Sequence, residues 1–333
     1  MKRVALLAGL FGVLFVLERS QAPSAADALE THRPLLTESE RESLELTGFV
    51  LTSVGERHEY RRSGGIWRCV TAFGAVANPR QITDLTRALL TKPAAWRSSS
   101  SSLEAATAFG FDTPTRVEFL RSEPADSPLL FDLGSFVPSP GGRSVFIRRE
   151  GLDGVWELDA EHLGALSRQR SPGFPPLLDQ RLTAGCTLDP ARGITRAFID
   201  FHEGASLELR PREIDGELRW SLNDGTSEHE LLPFRFAGWL SFLQRAPYAG
   251  FTNPQADADR GLEPPAARVT LFPPEEAPIE LVLGREVNGE VYLRNRTSGM
   301  LLLLRPNTRA LIAPNVRALS DAELTNPWEA WLR

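Results

Sequence analysis

Two stretches of this chain repeat the same ordered set of features, which indicates a duplicated folding unit. Each stretch begins with an alternating strand, a glycine turn and a second strand that carries a tryptophan, the pattern of a β-hairpin. The two hairpins run from Glu59 to Trp67 and from Leu207 to Trp220. A helical pattern then starts at Pro79 or Pro233, where the missing proline N–H costs little. The apolar faces of these helices consist of Ile82, Leu85 and Leu89 and of Phe236, Leu240 and Leu243.

The repeat continues with a loop of small and polar residues and then a glycine–proline phrase that leads into a strand. The loops contain Ser98 to Ser102 and Thr252 to Asp259. The phrases are FGFDTPTRVEF, from Phe109, and RGLEPPAARVTL, from Arg260. Three further strands follow in each copy: Leu130 to Gly134, Ser144 to Arg148 and Val155 to Leu158, against Leu281 to Gly284, Glu290 to Arg294 and Met300 to Leu304. Matched positions keep an offset of about 150 residues that drifts slowly, as small loop insertions would cause.

These patterns predict an α+β fold of two tandem repeats. Each repeat is a mainly antiparallel sheet with a covering helix, and an N-terminal hydrophobic helix precedes both. The predicted division is an anchor or signal segment at 1–19, a tether at 20–46 with a short helix, and repeats at 47–185 and 186–333. The strand from Met300 to Leu304 is apolar throughout, so we expect it to be buried on both faces.

The N-terminal segment indicates export. An apolar run from Val4 to Leu17 follows Lys2 and Arg3 and ends at Glu18. As a helix it would span about 21 Å, shorter than the roughly 30 Å of a hydrocarbon core and typical of a signal peptide. The residues behind it are charged and poor for cleavage, which favours an uncleaved anchor. We predict a single-pass protein of the cell membrane with residues 20–333 outside the cytoplasm, or a periplasmic protein if the segment is cleaved.

At these motifs the chain resembles the bacterial domain-of-unknown-function 4340 family. The shared features are the hairpin that ends in Trp67 or Trp220, the helix after it, a G-[LF]-x-x-P phrase, an [LV]-x-L-G strand end and a [VS]-[YF]-[LI]-R strand. The resemblance covers residues 50–320 as two copies. It implies a single-pass membrane protein encoded beside ABC-type transporters of the gliding-motility kind, and it carries over no catalytic residue. The first copy departs from the pattern at Phe111, where leucine is usual, and in its serine run.

The charge balance argues against a nucleic-acid partner. The formal net charge is −6, with 37 basic and 43 acidic residues. A protein that binds DNA or RNA needs a basic face, and an acidic chain is repelled by phosphate backbones and by anionic lipids.

The content of 42% hydrophobic residues is that of a globular chain able to bury a core.

The sequence contains no motif of a hydrolase elbow, a P-loop, a dinucleotide-binding turn or a zinc protease. We therefore predict no catalytic, cofactor-binding or metal-ligating residue, and no cofactor. The His–carboxylate clusters, His202 with Glu203 and His229 with Glu228 and Glu230, are interpreted as surface residues beside glycine turns. Asp257 and Asp259 lack the spaced oxygens of a calcium loop and are interpreted as a solvated loop.

The cysteines and tryptophans each allow two interpretations. Cys69 and Cys186 could pair in an oxidising compartment, or both could be small buried hydrophobic residues. Trp67, Trp156, Trp220 and Trp239 lie in strand or helix patterns, where core packing is expected. Trp96, Trp328 and Trp331 lie outside the regular elements, and the last two are the candidates for exposed contacts.

Three functions remain open from the sequence. The leading hypothesis is a non-enzymatic, membrane-anchored extracytoplasmic scaffold or accessory subunit of a membrane complex, with ABC-type transporter subunits as partners. A periplasmic module that binds glycan or cell-wall polymer is the alternative, and exposed aromatic side chains in one groove would favour it. The third is a hydrolase whose site has no sequence motif, which would need His, Asp or Ser side chains that converge in a cleft.

Overall fold

The computed structural model of the protein describes residues 32–42, 44–99, 103–122, 128–167, 174–186, 193–204, 206–255, 260–305 and 307–321. The predicted anchor at 1–19 and the first part of the predicted tether, residues 20–31, lie outside these ranges. Within them, no helix has both the length and the apolar character that crossing a membrane requires.

Antiparallel strands make up most of the described chain. The strands are β1 (His32–Pro34), β2 (Leu46–Ser53), β3 (Glu56–Ser63), β4 (Ile66–Cys69), β5 (Ala75–Val76), β6 (Pro93–Ser98), β7 (Thr115–Arg121), β8 (Leu129–Ser139), β9 (Gly142–Arg149), β10 (Leu152–Asp159), β11 (Arg196–Phe201), β12 (Ser206–Ile214), β13 (Glu217–Asn223), β14 (Glu228–Glu230), β15 (Gly250–Thr252), β16 (Ala267–Phe272), β17 (Ile279–Leu283), β18 (Tyr292–Asn295) and β19 (Met300–Leu303). The α-helices are α1 (Glu38–Glu42), α2 (Pro79–Leu90), α3 (Leu103–Ala108), α4 (Gly164–Ser167), α5 (Pro233–Arg245), α6 (Arg309–Ile312) and α7 (Val316–Ser320). The strands form two sheets and the helices are few, so the fold class is α+β or mainly β.

The chain divides into two compact units, and each is made of two stretches of sequence. The first unit comprises Met1–Glu56 and Thr83–Gln169, and the second comprises Arg57–Ile82 and Arg170–Arg333. The predicted domains at 47–185 and 186–333 are based on the internal sequence repeat, whereas the two compact units are defined by contacts in space. Those bounds therefore stay a prediction.

The first unit is built on strands in the order β1-β6-β10-β9-β8-β7-β2. Alternation along β7 buries Val117 and Phe119 and turns Arg116 to the opposite face. The ring of Phe119 contacts that of Phe131 in β8 edge to face at 5.9 Å, so the buried faces of the two strands form one core. The polar face of these strands carries charged residues, among them Arg116 and Asp132.

Part of the predicted tether belongs to the first unit. Strand β1 pairs with β6, and Leu35 and Leu36 after it are each 2% exposed. Helix α1 then starts with a capping box, in which the backbone N–H of Thr37 donates to Glu40 Oε2 at 2.7 Å and the N–H of Glu40 donates to Thr37 Oγ1 at 3.3 Å. The short helix expected in this segment is therefore present.

The main sheet of the second unit has the strand order β14-β13-β12-β11-β16-β17-β18-β19-β15. Its buried face is lined by aliphatic side chains of successive strands: Leu209, Ile199, Val269, Leu281, Leu293 and Leu302. Helix α5 contacts α6 and α7, and the indole N–H of its buried Trp239 donates to the carbonyl of Ile312 at 3.1 Å. In the strand predicted to be buried on both faces, from Met300 to Leu304, only Leu303 is half-buried and the other four residues are buried.

The second unit also contains strands β3–β5, which are held to residues 174–186 by backbone contacts. Ala77 forms an antiparallel bridge with Leu178, and the N–H of Asp179 donates to the carbonyl of Val76 at 2.9 Å. The amide of the buried Asn295 donates to the carbonyls of Leu182 at 3.0 Å and Ala184 at 3.4 Å. A polar side chain thus fixes this irregular segment, whose own backbone groups lack a full ladder.

The predicted hairpins and the two helices that begin with proline are confirmed. The structure adds strands β6 and β15 directly after α2 and α5, where the sequence predicts only loops. Strand β6 begins at Pro93 and β15 has three residues, so neither shows enough alternation to be recognised. Helix α3 was also missed.

Candidate functional site

The His–carboxylate clusters of the sequence analysis lie at separate places in the second unit. His202 and Glu203 are exposed after β11, as predicted. His229 is half-buried in β14, with Nε2 at 3.3 Å from Oδ2 of Asp224. The Thr226 hydroxyl and the N–H groups of Thr226 and Ser227 hold the pKa of Asp224 below its usual range. The Asp224 carboxylate therefore stabilises a turn, and His229 contacts the same carboxylate.

The described side chains do not include a group of three His, Cys, Asp or Glu residues that could hold a metal ion. Asp257 and Asp259 lie outside the described residues. Several described groups have shifted pKa values because they form ion pairs that stabilise the fold. Arg149 lowers the pKa of Glu40 to about 2, and Asp179 raises the pKa of Arg181.

The described tryptophans are mostly packed. Trp156 is 3% and Trp239 1% exposed, and Trp220 stacks on Phe236 with a centroid separation of 4.2 Å. Trp96 in β6 is 44% exposed, which makes it the most exposed described indole. Trp328 and Trp331, the candidates for exposed contacts, lie outside the described residues.

Both cysteines are free thiols in the second unit. Cys69 is buried beside the Thr71 hydroxyl, and Cys186 is half-buried beside the Asn295 amide. Burial raises the pKa of each thiol. The structure therefore matches the interpretation of two small hydrophobic residues more closely than that of a disulfide.

In the first unit, a row of charged residues crosses three neighbouring strands on the polar face. Arg116 in β7 lies opposite Asp132 in β8, and Asp132 lies opposite Arg148 in β9. The Arg116 guanidinium binds both carboxylate oxygens of Asp132, with Nε–Oδ1 at 2.8 Å and Nη2–Oδ2 at 3.1 Å. Asp132 raises the pKa of Arg116 as a result. The Arg148 guanidinium lies over the Phe111 ring at 4.3 Å.

In the second unit, the same row recurs without the carboxylate. Arg268 in β16 lies opposite Val282 in β17, and Val282 lies opposite Arg294 in β18. All three residues line a pocket of about 370 Å³, together with Leu262, Pro265 and His202. Among the described residues, neither Arg268 nor Arg294 forms an ion pair with a carboxylate, and the Arg294 guanidinium donates to the carbonyl of Pro254 at 3.5 Å. Two guanidinium groups thus flank an apolar position.

Sequence reasoning missed both rows, although a signal for them was present. The matched phrases each place an arginine before a valine, Arg116-Val117 and Arg268-Val269. The matched strands end in Arg148 and Arg294. Only the cross-strand register, however, brings these arginines to one row.

The chain matches no protein-family model, no curated protein and no solved structure at a significant level. The resemblance to the domain-of-unknown-function 4340 family therefore stays a prediction.

Proposed function

We propose that the chain is a tandem duplication of one antiparallel α+β unit. The strand order supports this. Six strands of the first unit follow the order β6-β10-β9-β8-β7-β2, and six of the second follow β15-β19-β18-β17-β16-β11. In both sets of six strands, the chain passes through the sheet positions in the same order. The strands β3–β5 and β12–β14 are also alike, because in each group every strand pairs with the next strand along the chain.

A pair of glycines in each copy supports the same proposal. A Cβ atom on Gly110 would come within 2.6 Å of the backbone nitrogen of Ser135, and one on Gly261 within 2.9 Å of that of Arg285. A Cβ atom on the second glycine of each pair would also meet backbone, at 2.1 Å from the Phe109 carbonyl oxygen for Gly134 and at 2.7 Å from the Arg260 carbonyl oxygen for Gly284. Such close backbone approach tolerates only glycine, so its recurrence at matched positions favours a common origin.

We propose that the protein acts as a non-enzymatic, membrane-anchored scaffold or accessory subunit of a membrane complex. The observation that carries this proposal is the apolar run from Val4 to Leu17 behind Lys2 and Arg3. From this run we infer that residues 20–333 lie outside the cytoplasm. Subunits of an ABC-type transporter are the proposed partners, in keeping with the family resemblance. The acidic net charge of −6 makes nucleic acid an unsuitable partner.

The test is affinity purification of the tagged full-length chain from cross-linked native membranes, with mass spectrometry of what is recovered. We expect an ATP-binding cassette subunit and a multi-span permease to be enriched over an unrelated single-pass bait. A variant with Leu7→Arg and Phe15→Arg, which breaks the apolar run, should leave the membrane fraction and lose both subunits. Recovery of soluble proteins alone by the unaltered chain would overturn the proposal.

A further inference from the structure

The pocket beside Arg268 and Arg294 has the size and mixed lining of a small-molecule site. Its volume of about 370 Å³ lies within the roughly 300–1,000 Å³ range of such sites. Leu262, Pro265 and Val282 supply apolar surface. The Cα atoms of the two arginines lie two strands apart, about 10 Å, a distance over which two long side chains can reach one oxyanion.

Among the described residues around the pocket, the charged groups leave Arg268 and Arg294 without an ion pair. Arg296, also in the lining, is paired with Glu280 at 3.1 Å. Glu263 lines the pocket and is exposed, and Asp200 lies opposite Arg268 in the strand register without an ion pair. The Arg294 Nη2 donates to the carbonyl of Pro254 at 3.5 Å, and neither arginine forms an ion pair with a carboxylate of the described residues. Both guanidinium groups therefore keep donors for an anion.

In the first unit, the matching row has a carboxylate between its two arginines. There Asp132 stands where the second unit has Val282, and its carboxylate binds Arg116 through two hydrogen bonds. The planar guanidinium group favours this bidentate geometry with carboxylate and phosphate alike. In the second unit the apolar side chain of Val282 occupies the matched position, so the row carries no negative charge between its two arginines.

We propose that the pocket of the second unit binds a small organic anion, whose carboxylate or phosphate group is held by Arg268 and Arg294 over Val282. Leu262 and Pro265 then contact the apolar part of the ligand. The anionic group of the ligand thus supplies the negative charge that Asp132 supplies in the first unit. This inference is independent of the scaffold proposal, because it concerns only residues of the second unit.

The first experiment titrates the full-length chain, in neutral detergent at low ionic strength, with benzoate, phenyl phosphate and the uncharged isostere benzamide. Isothermal calorimetry or ¹H–¹⁵N chemical-shift changes report binding. We expect at least one anion to bind about tenfold or more tightly than benzamide. Tighter binding of benzoate or of phenyl phosphate distinguishes a carboxylate from a phosphate ligand. Equal affinities for the anions and benzamide, or no binding of either anion at 10 mM, would overturn the proposal.

The second experiment exchanges the central residue between the two rows. Val282→Asp should weaken anion binding about tenfold or more, since the new carboxylate occupies the arginines, whereas Val282→Thr should retain it. Asp132→Val should add a second anion site in the first unit. Arg268→Gln, at an exposed position, gives an independent loss of binding if Val282→Asp fails to fold. Unchanged affinity in both Val282→Asp and Arg268→Gln contradicts the proposed site.

Discussion

Gly134 lies against the backbone of Phe109, so close that a Cβ atom on Gly134 would come within 2.1 Å of the Phe109 carbonyl oxygen. The N–H of the next residue, Ser135, donates to the same oxygen at 2.8 Å. The contact fixes the segment that leads into β7 against the middle of β8. Position 134 therefore requires glycine because a side chain would collide with the Phe109 backbone, and not because the backbone angle is unusual.

Gly134→Ala should destabilise the first unit by about 2 kcal/mol or more, because the backbone must move to accept the methyl group. Chemical denaturation of the two proteins measures the difference. Gly141→Ala is the matched control, since a Cβ atom there meets nothing within 4 Å. Equal stabilities of the Gly134→Ala and Gly141→Ala variants would show that the close approach is not present.

Asn295→Ala should destabilise the second unit by about 2–4 kcal/mol, because it removes the amide that donates to the buried carbonyls of Leu182 and Ala184. Thermal or urea unfolding monitored by tryptophan fluorescence measures the loss. Asn253→Ala removes only a turn bond to the N–H of Gln255 at an exposed site and should cost much less. A loss for Asn295→Ala no larger than that control would contradict the network.

Acid should weaken the first unit through Glu40. The Arg149 guanidinium holds the pKa of Glu40 at about 2, below its ordinary value of 4.5. The interaction of ionised Glu40 with Arg149 therefore stabilises the fold fully above pH 4.5, and this stabilisation is lost as the pH falls toward 2. Because the Glu40 side chain is 31% exposed, solvent screening limits the contribution to about 1 kcal/mol.

Urea unfolding between pH 2 and 6 tests this dependence. Glu40→Gln should be less stable than the unaltered chain at pH 6, and the two should converge as the pH approaches 2. Glu38→Gln, an exposed neighbour in α1, serves as the control. Curves for Glu40→Gln that stay parallel to those of the unaltered chain over the whole range would refute the assignment.

Cys69 and Cys186 should react slowly with iodoacetamide in the folded protein. Burial raises the pKa of both thiols, so little thiolate is present near neutral pH. Urea without reductant should expose two reactive thiols and raise the labelling rate by about an order of magnitude or more. Mass spectrometry counts the labels. If labelling in urea appears only after a reductant is added, the cysteines form a disulfide.

The predicted elements that the structure confirms are those with strong local patterns. Helices α2 and α5 begin at prolines and carry apolar residues such as Leu85 and Leu243 at helical spacing. Hairpin strands β12 and β13 alternate around Gly216. In each case the signal lies within about a dozen residues, so neighbours in sequence are also neighbours in space.

The sequence alone determined the β-rich character of the chain, its two prolyl helices and its repeated order of motifs, because hydrophobic periodicity and turn chemistry act locally. Tertiary structure decided that strands β3–β5 belong to the second compact unit. It also decided that Arg268 and Arg294 share a row across Val282. These features depend on strand register and on pairing between distant segments, which are set by the packing of the whole core.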